Sequence, residues 1–185
     1  SCSFKAGCCG ALRHHLNEQE AALDDMRRNI DAWWPYVETI EAIVMTASGC
    51  GATVKEYGHL LAHDARYAAK AQRIAQLARD LCEILPAFET ELAALVQGRI
   101  TERVVYHPPC TLQHGQQIRG RVEQVLRAVG VDVRLCADSH LCCGSAGTYS
   151  ILQPALSQQL RDNKVAELEA CAPDVIVSAN IGCLS

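Results

Sequence analysis

One cysteine pattern occurs twice in this sequence of 185 residues. Each copy opens on Cys-Cys-Gly, continues through a segment with helical periodicity, and ends on a short apolar run followed by Gly-Cys. The paired cysteines of the two copies are 134 residues apart, and the final cysteines are 133 apart. The cysteines concerned are Cys8, Cys9 and Cys50 in the first copy and Cys142, Cys143 and Cys183 in the second. A repeat this long exceeds one unit of a solenoid and indicates two pseudo-symmetric domains.

The predicted repeats divide the chain next to Gly98. We predict a first repeat with connecting helices over residues 1–97 and a second repeat over residues 98–185. The second copy has a further cysteine, Cys110, whose counterpart 134 residues earlier would precede Ser1. We therefore expect the first repeat to lack its opening strand and its first cysteine, as a piece of a longer protein would.

Alternating strand and helix patterns predict the fold class. Apolar residues three and four apart predict helices over residues 16–34, 54–62, 65–85, 87–96, 111–129 and 154–170. Short apolar runs predict strands over residues 41–46, 101–106, 131–135 and 174–178, and the strand that precedes Gly-Cys in each copy is predicted to be buried. Residues 48–51 are predicted as a tight turn, and residues 138–149 as a glycine-rich loop. This order of elements favours an α/β fold with short, mostly parallel sheets flanked by helices.

Composition limits the possible functions. The formal net charge is −4 and the Lys and Arg residues are not clustered, so no basic surface for nucleic acid is predicted. No apolar stretch reaches the ~18 residues that a transmembrane helix needs. Eleven cysteines cannot all pair within one chain, and the helical composition differs from that of small disulfide-rich secreted domains. Thiolate metal ligands in a reducing compartment fit these features better.

The second copy has four cysteines at positions where they can converge. Cys110 and Cys183 follow predicted strands, and Cys142 and Cys143 lie in the glycine-rich loop. Loops that follow parallel strands gather at one edge of a sheet, and thiolates gathered there need a cation. Soft sulfur ligands select zinc, copper(I) or an iron–sulfur cluster. Adjacent cysteines suit a cluster better than a single zinc ion, for which Cys-x2-Cys spacing is usual.

Residues beside these cysteines also have candidate roles. Gly144 and Gly147 would let backbone amides approach the sulfurs of a cluster. His107, His114 and His140 could contact a cluster sulfur or replace a cysteine, but we expect solvent-facing or loop-capping roles for them.

Burial as structural thiols is the alternative to metal ligation, because free cysteine packs as a small apolar side chain. The spacing favours ligation for the four cysteines of the second copy. The two interpretations weigh equally for Cys8, Cys9 and Cys50. Cys82 falls on the apolar face of a predicted helix and is predicted to be a core residue, and ligation by Cys2 has little support.

The segments around the cysteines resemble the CCG, or cysteine-rich, domain of heterodisulfide reductases and their relatives. They are more similar still to the iron–sulfur subunits of bacterial glycolate oxidases. The segments that carry this resemblance are GCCGALRHHLNEQE, NIDAWWP, TASGCGATVKEYG, PPCTLQHGQ, DSHLCCGSAGTY, LRDNK and SANIGC. In heterodisulfide reductase relatives, five cysteines of this pattern hold a noncubane [4Fe-4S] cluster. The resemblance implies that Cys110, Cys142, Cys143 and Cys183 are the first four ligands. The fifth would be residue 186, so the second repeat is expected to be incomplete at its C-terminal end, and Thr53 stands at the fifth position of the first copy.

The resemblance also implies a function. The chain would be part of an electron-transfer subunit, and a partner subunit with FAD would oxidise glycolate to glyoxylate. Electrons would pass through the iron–sulfur subunit towards the quinone pool, in the cytoplasm or peripherally on the inner membrane face. We expect the isolated chain not to be catalytic. The alternatives are a zinc-stabilised interaction module without a redox role and a thiol–disulfide reductase subunit of the heterodisulfide type.

Overall fold

The computed structural model describes residues 5–96 and 98–184, so Cys2 and Gln97 lie outside the described residues. The chain forms two compact units. The first unit contains the described residues up to Met45 together with Gly49–Asp80, and the second contains Thr46–Ser48 and the described residues from Leu81 onward. The repeat boundary at residues 97 and 98 stays a prediction. In the described part of the chain, no helix is long and apolar enough to cross a membrane.

Helices surround a two-stranded parallel sheet in the first unit. Strands β1 (Ile43–Met45) and β2 (Ala78–Asp80) pair with Ile43 opposite Ala78. The helices are α1 (Ala11–His15), α2 (Gln19–Trp33), α3 (Ser48–Lys55), α4 (Tyr57–Leu60) and α5 (Ala68–Leu77), with a 3-10 turn over Trp34–Tyr36. The core consists of buried side chains from α2–α5 and both strands, among them Ala22, Met26, Ile30, Tyr57 and Ile74.

Helix α2 has its buried stripe at four-residue spacing, as the apolar pattern predicts. Ala22, Met26 and Ile30 are fully buried, and residues four apart lie on one face of a helix. The helix predicted over 16–34 is α2, which begins later, at Gln19, and ends at Trp33. Asn17 has a φ of 64° between α1 and α2, a left-handed conformation that ends a helix and that asparagine tolerates.

Two other predictions in this unit are wrong. The predicted tight turn at residues 48–51 is the first turn of α3, so Cys50 lies on a helix. The predicted helix over 65–85 contains β2 between α5 and α6 (Leu81–Ile84). Its helical periodicity is overridden because Ala78–Asp80 forms a parallel ladder with β1, a non-local pairing that local propensity does not reveal.

A three-stranded parallel sheet with the order β4-β3-β5 organises the second unit. The strands are β3 (Val104–His107), β4 (Val133–Leu135) and β5 (Val175–Ser178), and Val104 lies opposite both Val133 and Val175. Every residue of β3 is buried, as expected for a central parallel strand covered on both faces. The remaining helices are α7 (Glu89–Val96), α8 (Arg121–Ala128), α9 (Tyr149–Leu152) and α10 (Pro154–Glu169). The predicted α/β class with parallel strands is confirmed.

The segment after β3 departs from the single helix predicted over 111–129. It forms one π-helical turn, Thr111–Gly115, and then α8. Gly120 precedes α8 with a φ of 74°, a conformation that glycine adopts without steric cost. The first turn after the central strand is therefore separate from α8, and it begins directly after Cys110.

Candidate metal centre

The carboxyl ends of the strands in the second unit bring the predicted cysteines together. Cys110 follows the central strand β3 and precedes the π-helical turn. Cys142 and Cys143 lie in the loop between β4 and α9, and Cys183 ends a 3-10 turn that follows β5. Each is partly exposed. The topology places the four thiols at one edge of the sheet, as the strand order predicts.

Hydrogen bonds link the four thiols in series. Cys110 bonds to Cys142, Cys142 to Cys143, and Cys143 to Cys183. These bonds hold the pKa of Cys142 well below the ordinary thiol value, with help from the backbone N–H of Gly144. The bond from Cys143 likewise lowers the pKa of Cys183, with contributions from His107 and Asn180. The same bonds, together with burial, raise the pKa of Cys110 and of Cys143.

His107 is a member of this site. One ring nitrogen and the sulfurs of Cys143 and Cys183 all lie within 4.8 Å of one another. The side chain is 2% exposed, and neither ring nitrogen has a hydrogen-bond partner of ordinary geometry among the described residues. The expectation of a solvent-facing or loop-capping role is therefore wrong for His107. The available signal was its place directly after a predicted strand and three residues before Cys110.

The other two histidines behave as predicted. His114 and His140 are both exposed. A ring nitrogen of His114 lies 3.1 Å from the backbone carbonyl oxygen of His140, a contact that caps the loop.

Gly144 fixes the backbone of the cysteine loop. Its φ is 88°, and a Cβ at this position would collide with the carbonyl oxygen of Ser157 on α10. The Ser157 hydroxyl donates a 2.8 Å hydrogen bond to the Gly144 carbonyl, and the Gly144 N–H donates to the Cys142 sulfur at 3.3 Å. Only glycine fits where the conformation is left-handed and a helix backbone is this close. A contact of Gly147 with the sulfurs stays a prediction.

The first unit repeats this construction. Gly10 also has a φ of 88°, and a Cβ there would lie 2.8 Å from the carbonyl oxygen of Ala22 on α2. A hydrogen bond from Cys9 lowers the pKa of Cys50 to about 7, and that bond and burial raise the pKa of Cys9. Cys8 is close enough for its charge to oppose that of Cys50. The structure thus brings the three predicted cysteines of the first copy together.

A buried amide supports the cysteine pair of the first unit. The Asn29 side chain accepts from the Gly7 N–H at 2.7 Å and donates to the Cys8 carbonyl at 2.8 Å. It also donates to the Tyr57 hydroxyl at 3.2 Å, and that hydroxyl donates to the Cys9 carbonyl at 2.9 Å. The aligned residue in the second copy, Asn163, is exposed, so the two copies fix their cysteine loops with different polar groups.

The other cysteines of the described residues are Cys82, Cys136 and Cys171. Cys82 is buried in the second unit, which confirms its prediction as a core residue. Cys136 is buried with Val105 and Leu168, and Cys171 packs against that cluster. Burial raises the pKa of Cys136, as expected for an inert structural thiol.

The donor set of the second unit fits a sulfur-bound metal centre. The four thiols interact in series, and a ring nitrogen of His107 lies within 4.8 Å of the sulfurs of the last two, Cys143 and Cys183. Thiolates and imidazole are soft or borderline ligands, which select zinc or iron–sulfur centres. The family model described as the cysteine-rich domain, CCG, matches residues 3–55 and 104–185. The chain belongs to the CCG cysteine-rich domain family. Both matched segments of this CCG chain contain one group of converging cysteines.

Curated relatives extend the comparison. The chain is 53% identical over 97% of its length to the glycolate oxidase iron-sulfur subunit of Escherichia coli (strain K12), covering 44% of that protein. It is 31% identical over 96% of its length to the probable glycolate oxidase iron-sulfur subunit of Bacillus subtilis (strain 168), covering 39% of it. It is 30% identical over 96% of its length to lactate utilization protein A of Bacillus licheniformis, covering 72% of it. The chain therefore spans less than half of each of the first two relatives.

Proposed function

We propose that this chain is the CCG part of an iron–sulfur electron-transfer subunit of a glycolate oxidase. In this proposal Cys110, Cys142, Cys143 and Cys183 hold a [4Fe-4S]-type cluster. The observation that carries it is the series of hydrogen-bonded thiols at one sheet edge. The names of the two relatives that are 53% and 31% identical support the glycolate oxidase assignment.

The residues of the site would prepare it for iron in defined ways. A bound cluster supplies reversible one-electron transfer. Ligation needs thiolates, so Cys110 and Cys143, whose pKa values are raised, would release their protons to solvent. Cys142 and Cys183 already favour the thiolate form. The Gly144 N–H, directed at the Cys142 sulfur, would stabilise negative charge there and raise the reduction potential.

Exposed apolar side chains next to the cysteines support a partner subunit. Leu141 precedes the cysteine pair, and Ile181, 73% exposed, lies two residues before Cys183. Ile151, in the helix after the loop, is 77% exposed. These three residues are close in sequence to the cysteines of the site, and exposed apolar surface is typical of interaction sites where it forms a patch. We propose that an FAD-containing subunit that oxidises glycolate to glyoxylate covers them, that the electrons continue to quinone, and that the complex is cytoplasmic or peripheral on the inner membrane face.

The cluster assignment is tested on protein purified and reconstituted anaerobically. We expect bound iron and acid-labile sulfide, with broad absorption at about 400 nm. Cys183→Ser should lose both iron and absorption, because it removes a ligand. Cys171→Ser, which alters a cysteine of the same unit away from the site, should keep them. Colourless wild-type protein without sulfide would contradict the proposal.

A zinc site is the second candidate, and a specific observation favours it. His107, Cys143 and Cys183 have ligand atoms within 4.8 Å of one another, and mixed Cys and His sets are common for structural zinc. The same preparation distinguishes the two, because a zinc site would give one zinc per site and no sulfide.

The thiols of the first unit are proposed as ligands of a further metal centre. Cys8, Cys9 and Cys50 are brought together in the same construction as the second unit. Cys50→Ser should then lower the metal content per chain and leave the spectrum of the second centre unchanged. Unchanged metal content in this variant would mean that these three are structural thiols.

A further inference from the structure

We propose that His107 is an iron ligand of the centre in the second unit and raises its reduction potential, an inference that rests on the proposed function. The first observation is burial without an ordinary hydrogen bond. A neutral imidazole has one N–H donor and one acceptor nitrogen, and buried polar groups in native proteins are almost always paired. His107 is 2% exposed, and neither of its nitrogens has a hydrogen-bond partner of ordinary geometry in the described part of the chain. A metal bond at one nitrogen would reduce this deficit.

The second observation is where the ring lies. A ring nitrogen of His107 is within 4.8 Å of the sulfurs of Cys143 and Cys183. Ligands that bind one tetrahedral ion at about 2.0–2.3 Å lie roughly 3.3–3.8 Å apart. The three atoms need only a small contraction to share one iron, and side-chain rotation can supply it.

The third observation is that the backbone of His107 is fixed. It is the last residue of β3, between two neighbouring strands, and it pairs with Ser178. The Ser178 hydroxyl donates a 3.0 Å hydrogen bond to the His107 carbonyl. A ligand on a rigid central strand is held more closely than one on a loop. The backbone therefore holds the base of the ring at this edge of the sheet, and only side-chain rotation is needed to bring a ring nitrogen closer to the sulfurs.

The chemical consequence concerns the potential. Cysteine binds iron as an anion, whereas histidine binds as a neutral ligand. Replacing an anionic ligand by a neutral one leaves the centre less negative, and histidine ligation raises the potential of iron–sulfur centres. His107 would therefore tune a cluster held mainly by cysteines.

The test uses nitrogen coupling and redox titration of the anaerobically reconstituted protein. The protein is labelled with 15N-histidine, and the reduced cluster is examined by electron–nuclear double resonance. We expect a strongly coupled histidine nitrogen in the wild type and its loss in His107→Cys. Iron content should be retained in that variant and its reduction potential should be lower, because a thiolate replaces imidazole. His114→Ala, which changes an exposed neighbouring histidine, should retain both the coupling and the potential.

The outcomes separate the two proposals. A cluster without a strongly coupled histidine nitrogen in the wild type, or with the same coupling in His107→Cys, would overturn the role of His107 and leave the cluster intact. A wild-type protein that binds no iron would overturn both. The wild-type spectrum decides the question even if His107→Cys does not fold.

Discussion

Replacing Gly144 by alanine should both destabilise the second unit and displace its cysteine loop. Gly144 has a φ of 88°, and a Cβ would collide with the backbone carbonyl of Ser157. The left-handed conformation alone costs an L-residue about 1–2 kcal/mol. Overpacking against a helix backbone typically adds about 1–3 kcal/mol. We therefore expect Gly144→Ala to lower the free energy of unfolding by roughly 2–5 kcal/mol in total.

Gly130→Ala is a matched control for this change. Gly130 has a φ of 85° and has no other described atom within 4 Å of a Cβ built there. Its substitution by alanine should cost only the conformational part, about 1–2 kcal/mol. The difference between the two variants isolates the close approach of α10 to the cysteine loop.

Urea unfolding followed by circular dichroism measures both variants, with iron content measured on the same samples. Because the chain has two compact units, the transition should be fitted without assuming a single step. Gly144→Ala is expected to be the less stable variant and to retain less iron, since Cys142 and Cys143 precede the displaced residue. Equal stability and equal iron content in the two variants would refute the argument.

Two further predictions concern single interactions. Tyr57→Phe should lower the free energy of unfolding by about 1–3 kcal/mol, because the Cys9 carbonyl loses its 2.9 Å donor and Asn29 loses an acceptor. Thermal unfolding should show this loss, and it should show little change for the control Tyr36→Phe, whose side chain is exposed. The Arg103 guanidinium lowers the pKa of Asp174 from 3.8 to about 2. The lowered pKa in the folded state means that this pair stabilises the protein fully above pH 4 and that the contribution disappears as the pH falls towards 2. An NMR titration should show the low pKa of Asp174 in the wild type. The same low pKa in Arg103→Gln would contradict the role of Arg103.

The sequence alone determined the candidate ligands and the class of fold. The repeated cysteine pattern is visible without coordinates, because the ligand type and its spacing are local properties of the chain. The alternation of apolar runs and helical segments predicted parallel strands, and the rule that loops after such strands share an edge predicted that Cys110 would meet Cys142 and Cys183. These conclusions follow from side-chain chemistry and from backbone periodicity, both of which can be read residue by residue.

Only the tertiary structure decided which polar groups accompany the sulfurs. His107 could be assigned to solvent or to the site until the pairing of β3 with both β4 and β5 showed that its strand is central and buried. The strand at Ala78–Asp80 has helical periodicity and becomes a strand because it pairs with β1. Asn29 and Asn163 align in sequence, yet one is buried against a cysteine loop and the other is exposed. Burial and non-local pairing depend on what packs against a residue, and that information lies in distant parts of the chain.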